Sequence, residues 1–126
     1  MKTTGEQARI NRKCAKRKQW LIENNPICIF CLHLITQRQI EYGEVHLCHK
    51  IRRSDQSSRY NQYELQTMDL NTGLGHPDCH DMYDNDPKNA VLLPGFPFIM
   101  NDIKKIDINI YDKQKLNYGK GQTKQR

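Results

Sequence analysis

Apolar residues recur at helical spacing near both ends of the chain. In residues 5–24 good helix formers dominate, and one helical face carries Ile10, Cys14, Arg17 and Leu21. Pro26 ends this predicted helix, because proline disfavours helical conformation in the residue before it. A second helix is predicted from Phe98 to Tyr111, with Phe98, Ile99, Ile103, Ile106 and Ile110 on one face. We expect this helix to pack on the core, chiefly through Phe96, Phe98, Ile103 and Ile106.

Shorter patterns fill the middle of the chain. Residues 27–35 predict an apolar hairpin, and Val45 to Ile51 predict a strand. Residues 52–67 are polar and are expected to be irregular, whereas the glycines and proline of Asn71 to Pro77 predict a loop. A short helix is expected from His80 to Asn85. The elements therefore predict a small α+β fold with helices at both ends.

Composition indicates a single domain with a small core. The chain has 126 residues, of which 37% are hydrophobic, and its mean hydropathy is −0.87. A domain of this size and polarity often depends on a metal or disulfide for stability. We divide it into a basic N-terminal helix in residues 1–25, a central unit in residues 26–112, and a basic, disordered tail in residues 113–126.

Charge is distributed unevenly along the sequence. The net charge is +6; residues 1–20 hold seven Lys or Arg against one Glu, and residues 113–126 hold five against none. Residues 69–107 hold seven Asp against three Lys. Basic arms around an acidic middle are typical of proteins that bind phosphates and a cation, although basic termini are also often only solvated tails. No apolar signal region or membrane-length run is evident, so we expect no membrane partner and a cytoplasmic location, in a reducing compartment.

Two short motifs predict a metal site. Cys28-Ile29-Phe30-Cys31 is followed downstream by His76-Pro77-Asp78-Cys79, which gives a Cys-x2-Cys and His-x2-Cys set. Zinc prefers four tetrahedral Cys and His ligands, and this spacing lets two ligands reach one ion across a tight turn. A redox pair or two buried thiols are the alternatives, but the βαβ pattern typical of a redox CxxC is missing. Cys14 is left over and is expected to be an ordinary buried thiol.

Around these motifs the sequence resembles the zinc-stapled HNH endonucleases. The resemblance covers residues 26–86 and rests on the segments Cys48–Ser54 and Asn71–Asp84. It implies a ββα-metal core of the treble-clef type, in which a two-stranded ribbon ending near Ile51 crosses to the helix at His80–Asn85. It also implies that Cys28, Cys31, His76 and Cys79 bind the structural zinc, with His76 where cysteine is usual.

The same resemblance implies catalytic roles. His49 matches the general base, and Asn71 matches the residue that braces the loop and orients that base. His80 and Asp84 match the ligands of a catalytic divalent cation. These residue types suit phosphodiester hydrolysis, since a neutral histidine can activate water and a cation can neutralise the developing charge. The flanking cations could pair with DNA phosphates: Lys50, Arg52, Arg53 and Arg59.

One position departs from the family pattern. The family has a metal-binding Asp immediately before the base, and here that position is Cys48. A thiolate suits zinc or another transition metal better than magnesium, so the catalytic cation is left open among Mg²⁺, Mn²⁺, Ni²⁺ and Zn²⁺. Either Cys48 binds a softer cation, or His46 takes its place, or the cation site is lost.

The sequence therefore leaves two functions open. The first is a metal-dependent DNA endonuclease of the phage type, which would nick or cut DNA. The second is a catalytically inactive zinc module that binds nucleic acid, or an accessory module that docks on a partner protein through the Phe98–Tyr111 helix. A second copy of the chain or a phage protein is a further partner that the sequence leaves open.

Overall fold

The computed structural model describes the backbone of residues 5–123 and the side-chain environments of residues 5–118. This part of the chain forms seven α-helices and one two-stranded antiparallel sheet. The elements are α1 (Gly5–Asn24), α2 (Gln37–Glu41), β1 (His46–His49), α3 (Gln62–Thr67), β2 (Thr72–Gly75), α4 (Pro77–Asn85), α5 (Pro87–Ala90), α6 (Phe96–Ile106) and α7 (Ile108–Thr123). No helix in this described part is both long enough and apolar enough to span a bilayer.

The centre of the fold is β1, β2 and the helix that follows them. In the sheet His46 lies opposite Gly75, and His49 lies opposite Thr72. Only His76 separates β2 from α4, where Pro77 takes the first helical position, which needs no N–H donor. The predicted hairpin closes through the bridge between Ile27 and Leu34. The predicted small mixed fold, with a two-stranded ribbon followed by a helix, is therefore present.

The loop predicted from Asn71 to Pro77 is wrong over four residues, because Thr72–Gly75 forms β2. Its glycines mark close packing rather than a turn. A Cβ on Gly73 would lie 2.5 Å from the Ile29 side chain, and one on Gly75 would lie 2.6 Å from the Phe30 ring. The hairpin thus lies directly on β2, and a backbone bond from Ile29 N to the Leu74 carbonyl (2.9 Å) fixes it there.

The segment 52–67 is not irregular throughout, since its last six residues form α3. Asn61 and Glu64 make a reciprocal capping box at the start of this helix. Thr36 and Gln39 make the same motif at the start of α2, a helix that the sequence patterns above do not predict. Both motifs can be seen in the sequence, and each satisfies two backbone donors that a helix start otherwise leaves unpaired.

The predicted C-terminal helix is two helices. The chain turns at Asp107, which is fully buried and accepts a hydrogen bond from Asn109 N (3.0 Å) at the start of α7. Helix α7 then continues to Thr123, into the segment from 113 for which the sequence predicts a disordered tail, and residues 124–126 lie outside the described part. Phe98 is 64% exposed and is not a core contact; the α6 core face is Ile99, Met100, Ile103 and Ile106.

Helices α1 and α4 both contribute buried side chains. Ile10 and Leu21 are the buried residues of α1, as the helical spacing predicts. From α4, Tyr83 is fully buried and packs on Phe30 with ring centroids 5.1 Å apart. Its hydroxyl donates to the Lys50 carbonyl at 2.5 Å, which ties α4 to the end of β1.

Gly95 provides a test of how closely the C-terminal half packs on the hairpin. Its N–H donates to the Phe30 carbonyl at 2.6 Å, and a Cβ there would strike the backbone carbonyls of Ile29 and Phe30. Its φ of −80° suits any residue, so Gly95→Ala adds only the clash. We expect Gly95→Ala to lower the free energy of unfolding by about 1–3 kcal/mol in urea titrations with zinc present.

Gly5→Ala is the matched control, because a Cβ at Gly5 has no atom within 4 Å. This variant is expected to keep the stability of the wild type. Equal unfolding free energies for the two variants would contradict the packing described here.

Candidate metal centre and active site

Four predicted ligands converge at the junction of the hairpin and α4. The ligand atoms of Cys28, Cys31, His76 and Cys79 all lie within 4.8 Å of one another. Cys28 and Cys31 come from the hairpin, His76 is the residue before α4, and Cys79 lies in the first turn of α4. In the described part of the chain this is the one group of three or more such side chains close enough to share an ion.

Neighbouring groups orient the ligands. The His76 backbone N–H donates to Cys28 Sγ (3.5 Å), and His76 Nδ1 lies 3.4 Å from Cys31 Sγ. On the other side of the ring, His76 Nε2 lies 3.3 Å from the Gln39 side-chain oxygen. An Nε2–H that donates to Gln39 leaves the Nδ1 lone pair directed at the sulfurs, as a metal-binding histidine requires.

The electrostatics of the cluster also fit a cation. Burial, reinforced by the nearby thiols of Cys28 and Cys31, raises the pKa of Cys79 to about 12. Burial is also the main cause of a raised pKa at Cys31. Thiolates are therefore unfavourable here without a positive charge, and zinc supplies that charge and prefers this donor set. The four residues thus could bind a metal such as zinc.

A second site lies beside the cluster, in a cavity of about 350 Å³ between the end of β1 and α4. Its lining residues are Leu47, His49, Arg52, Arg53, Ser54, His80 and Asp84. The structure thus brings together the predicted base and both residues of the predicted cation pair. Cys79 and His80 are consecutive, so the first turn of α4 contributes to both sites.

His49 is held as a neutral imidazole. Its Nε2 lies 2.9 Å from the Gln66 carbonyl, which can only accept, so Nε2 carries the proton. Burial lowers the pKa of His49, and the Gln66 carbonyl opposes this shift only in part. No hydrogen bond of the described residues involves Nδ1. A neutral ring with a free Nδ1 is the form that can take a proton from water near pH 7.

Asn71 stabilises this arrangement through buried hydrogen bonds and does not line the cavity. It is fully buried and accepts from Ile51 N at 2.7 Å, while its amide donates to the Ile51 and Leu65 carbonyls at 3.3 and 2.8 Å. It therefore ties the end of β1 to the residue next to Gln66, whose carbonyl holds His49. This geometry fits the predicted bracing role, in which Asn71 is a positioning residue.

His80 lies between two partners. Its Nδ1 is 3.1 Å from His46 Nδ1, and its Nε2 is 3.0 Å from Asp84 Oδ2. Burial lowers the pKa of His46, and the neighbouring His80 and Lys18 lower it further. Two facing imidazole nitrogens cannot both carry a proton, so at least one of them presents a lone pair.

Cys48 does not line the cavity, and its role as a cation ligand stays a prediction. The residue is fully buried, and its Sγ packs where a Cβ on Gly75 would lie, facing the hairpin. Its thiol donates to the His46 carbonyl (3.6 Å). Burial, with the nearby Cys28 sulfur, raises the pKa of Cys48 strongly, so the thiol stays protonated. It behaves as a small apolar side chain.

Two of the four predicted phosphate contacts are used inside the fold. Lys50 is buried and donates to Asp102 (2.7 Å) and to the Leu70 carbonyl (2.8 Å). Arg52 donates to the Tyr83 carbonyl (2.7 Å) and lies 3.3 Å from Asp84. Both cations therefore have partners within the fold, and Arg52 also lines the cavity. In the sequence, Lys50 and Arg52 cannot be told apart from Arg53, which belongs to the same basic segment. Only their tertiary partners show that they are used inside the fold.

Arg53 and Arg59 are both exposed, but only Arg53 lines the cavity. Arg59 donates to the Ile106 carbonyl (3.3 Å) at the end of α6. The predicted phosphate contact at Arg59 is therefore not at this site. Arg53 is the predicted cation that the structure leaves available beside His49.

Two residues of the site have no functional signal in the sequence. Gln66 contributes only its backbone carbonyl, which accepts from both His49 and the Cys14 thiol (3.3 Å). Gln39 orients His76, and its capping role in α2 is the one visible sign that its position is fixed. A backbone acceptor has no sequence signature, because any residue supplies it.

Comparison with known proteins adds no assignment: no protein-family model, curated protein or solved structure matches the chain. Function is therefore argued from the geometry of the two sites.

The Cys/His cluster predicts that zinc and stability are linked. We expect the purified chain to hold one zinc ion and Cys79→Ser to lose it, since three ligands bind zinc far more weakly than four. Removal of zinc by a chelator should lower the melting temperature, because metal binding free energy becomes folding free energy. Elemental analysis and thermal unfolding measure both effects.

Cys14→Ser is the matched control, because Cys14 lies outside the cluster. It should keep one zinc ion. Full zinc occupancy in Cys79→Ser would show that the four residues are not the ligands.

Proposed function

We propose that this protein is a metal-dependent endonuclease that hydrolyses phosphodiester bonds in DNA. The observation that carries the proposal is the orientation of His49. Its Nε2 is bound to the Gln66 carbonyl at 2.9 Å, and it lines the same cavity as His80 and Asp84. The resemblance of residues 26–86 to the HNH endonucleases supports the same reaction, with His49 in the role of the base.

In this proposal the chain's own residues prepare the attack on phosphorus. His49 Nδ1 accepts the proton of a water molecule while Gln66 keeps the ring in the required tautomer. The buried bonds of Asn71 hold that carbonyl in place. Arg53 pairs with a phosphate beside the cavity, since its guanidinium is exposed there.

A divalent cation at His80 and Asp84 would supply charge neutralisation for the phosphate and for the leaving oxygen. His80 Nε2 and Asp84 Oδ2 are 3.0 Å apart on consecutive turns of α4, so the carboxylate can either bind the same ion or orient the imidazole that binds it. No ligand from Cys48 contributes. The cation site is therefore built from α4 and its neighbours rather than from the residue before the base.

A second candidate is a zinc module that binds DNA without cutting it. The specific observation in its favour is that both Asp84 oxygens already have partners, Arg52 at 3.3 Å and His80 at 3.0 Å. A carboxylate paired in this way is less available to a cation. The two candidates differ in one measurable property, which is cleavage.

Replacement of His49 tests the nuclease. We expect the zinc-loaded wild type to nick supercoiled plasmid with at least one of Mg²⁺, Mn²⁺, Ni²⁺ and Zn²⁺. His49→Ala should lower the rate by about 10²–10⁴-fold, the usual contribution of a general base. Gel electrophoresis of nicked, linear and supercoiled DNA measures the rate.

His33→Ala is the matched control, because His33 is exposed and lies away from the cavity. It should cleave as the wild type does. If DNA binds in gel-shift experiments but no cation supports cleavage, the binding module replaces the nuclease as the function. Unchanged cleavage by His49→Ala would rule out this residue as the base.

Two exposed arginines can be compared to distinguish a direct DNA contact from a general effect of net charge. Arg53→Glu and Arg59→Glu change the net charge equally, but only Arg53 lines the cavity. We expect Arg53→Glu to weaken DNA binding at least 10-fold and to reduce the salt dependence of binding by about one phosphate contact. Arg59→Glu should have a much smaller effect. Fluorescence anisotropy over a salt series gives both quantities, and equal losses in the two variants would contradict this placement.

A further inference from the structure

His80 offers two opposite edges to a cation. One edge is formed by His80 Nε2 and Asp84 Oδ2, which are 3.0 Å apart. The other is formed by His80 Nδ1 and His46 Nδ1, which are 3.1 Å apart. The two ring nitrogens point in different directions, so one ion cannot use both edges. The position of the ion decides which of His46 and Asp84 binds it directly.

The edge at Asp84 is unfavourable for an added cation. Arg52 already lies 3.3 Å from Asp84 Oδ1 and is fixed there by the Tyr83 carbonyl (2.7 Å) and the Tyr118 hydroxyl (2.9 Å). Its guanidinium also lies over the Tyr83 ring, 4.7 Å from the centroid. An ion at this edge would face a permanent positive charge that cannot easily move away.

The edge at His46 has the features of a metal site. Asp84 lies behind His80 and can accept its Nε2–H, which is the carboxylate–histidine arrangement that orients a metal-binding imidazole. His80 Nδ1 then presents its lone pair to the side where His46 Nδ1 lies. Two nitrogens each about 2.05 Å from one ion stand about 2.9–3.4 Å apart at octahedral or tetrahedral angles, and the observed distance of 3.1 Å lies within that range.

The surroundings of His46 suit an ion that also binds a substrate. His46 is exposed, whereas His80 is half-buried and lines the cavity with His49. Two protein ligands leave further coordination positions for water or a phosphate oxygen. Two imidazole donors favour nickel, zinc or copper over magnesium, which prefers oxygen.

We propose that His46 and His80 bind a nitrogen-preferring divalent transition-metal ion through their Nδ1 atoms, with Asp84 as the carboxylate partner of His80 and Cys48 uninvolved. For its catalytic meaning this inference rests on the proposed nuclease function. It changes the expected ligand set, since His46 replaces Cys48 and Asp84 acts through His80. It also predicts a metal preference that the sequence left open.

Nickel binding to the full-length, zinc-loaded protein tests the inference without measuring cleavage. Equilibrium dialysis against Ni²⁺ alone, with elemental analysis of nickel and zinc, gives the stoichiometry and the dissociation constant. We expect one nickel ion besides one zinc in the wild type and loss of nickel in His46→Ala and in His80→Ala. Asp84→Asn should keep the stoichiometry and weaken binding by about 10–100-fold, as expected for a residue behind the ligand.

Two control variants show whether nickel binds at this pair of histidines or elsewhere on the protein. Cys48→Ser should bind nickel as the wild type does, and so should His33→Ala, which removes an exposed imidazole away from the cavity. Zinc content and circular dichroism confirm that each variant is folded. Nickel retained by His46→Ala but lost by Asp84→Asn would overturn the inference in favour of the opposite edge. Nickel retained by His46→Ala, His80→Ala and Asp84→Asn alike, or no nickel in the wild type, would also overturn it.

The result is independent of the nuclease assay. Nickel binding as proposed without any DNA cleavage would support the metal site and contradict the proposed function. DNA cleavage that depends on His49, together with nickel binding by His46→Ala, would support the function and contradict this ligand set.

Discussion

Closure of the Cys/His cluster is the constraint on which the rest of the structure depends. Cys28 and His76 are 48 positions apart, and the bond from His76 N to Cys28 Sγ joins the hairpin to the start of α4. The segment between them must therefore return to its origin. β2 is held under the hairpin, where Gly73 and Gly75 leave no room for a side chain. In a chain with few apolar residues, a metal bound here would provide the closure that a larger core otherwise provides.

A second, smaller closure positions the proposed base. Asn71 reaches back 20 positions to Ile51 and also binds the Leu65 carbonyl, so one buried amide fixes both ends of the segment between the strands. The Gln66 carbonyl next to it then accepts from His49. Because these buried polar groups have partners, the imidazole keeps one tautomer and one orientation. His49 is thus oriented through backbone atoms rather than by a second catalytic side chain.

Local signals make part of this structure predictable. The CxxC and HxxC spacings predict the four residues of the cluster, and helical periodicity predicts α1 with its buried Ile10 and Leu21. The predictions that are wrong concern positions where tertiary contacts decide. In the sequence alone, the glycines of β2 are typical of a loop. Their role in close packing depends on the hairpin that covers them, which lies more than 40 positions earlier in the chain. Lys50 and Arg52 have the sequence context of DNA contacts, but Asp102 and Tyr118, which hold them inside, come from distant helices.

Helix α4 links the two sites mechanically. It has nine residues, which is too short to be stable alone in water. Its first turn carries Cys79 of the cluster and, one position on, His80 of the cavity; successive residues of a helix are rotated by about 100°. The cluster therefore fixes not only the start of α4 but also the direction in which His80 projects. Any chemistry at His80 and Asp84 would then depend on the cluster, which positions the first turn of α4 together with the contact between His46 and His80 (3.1 Å).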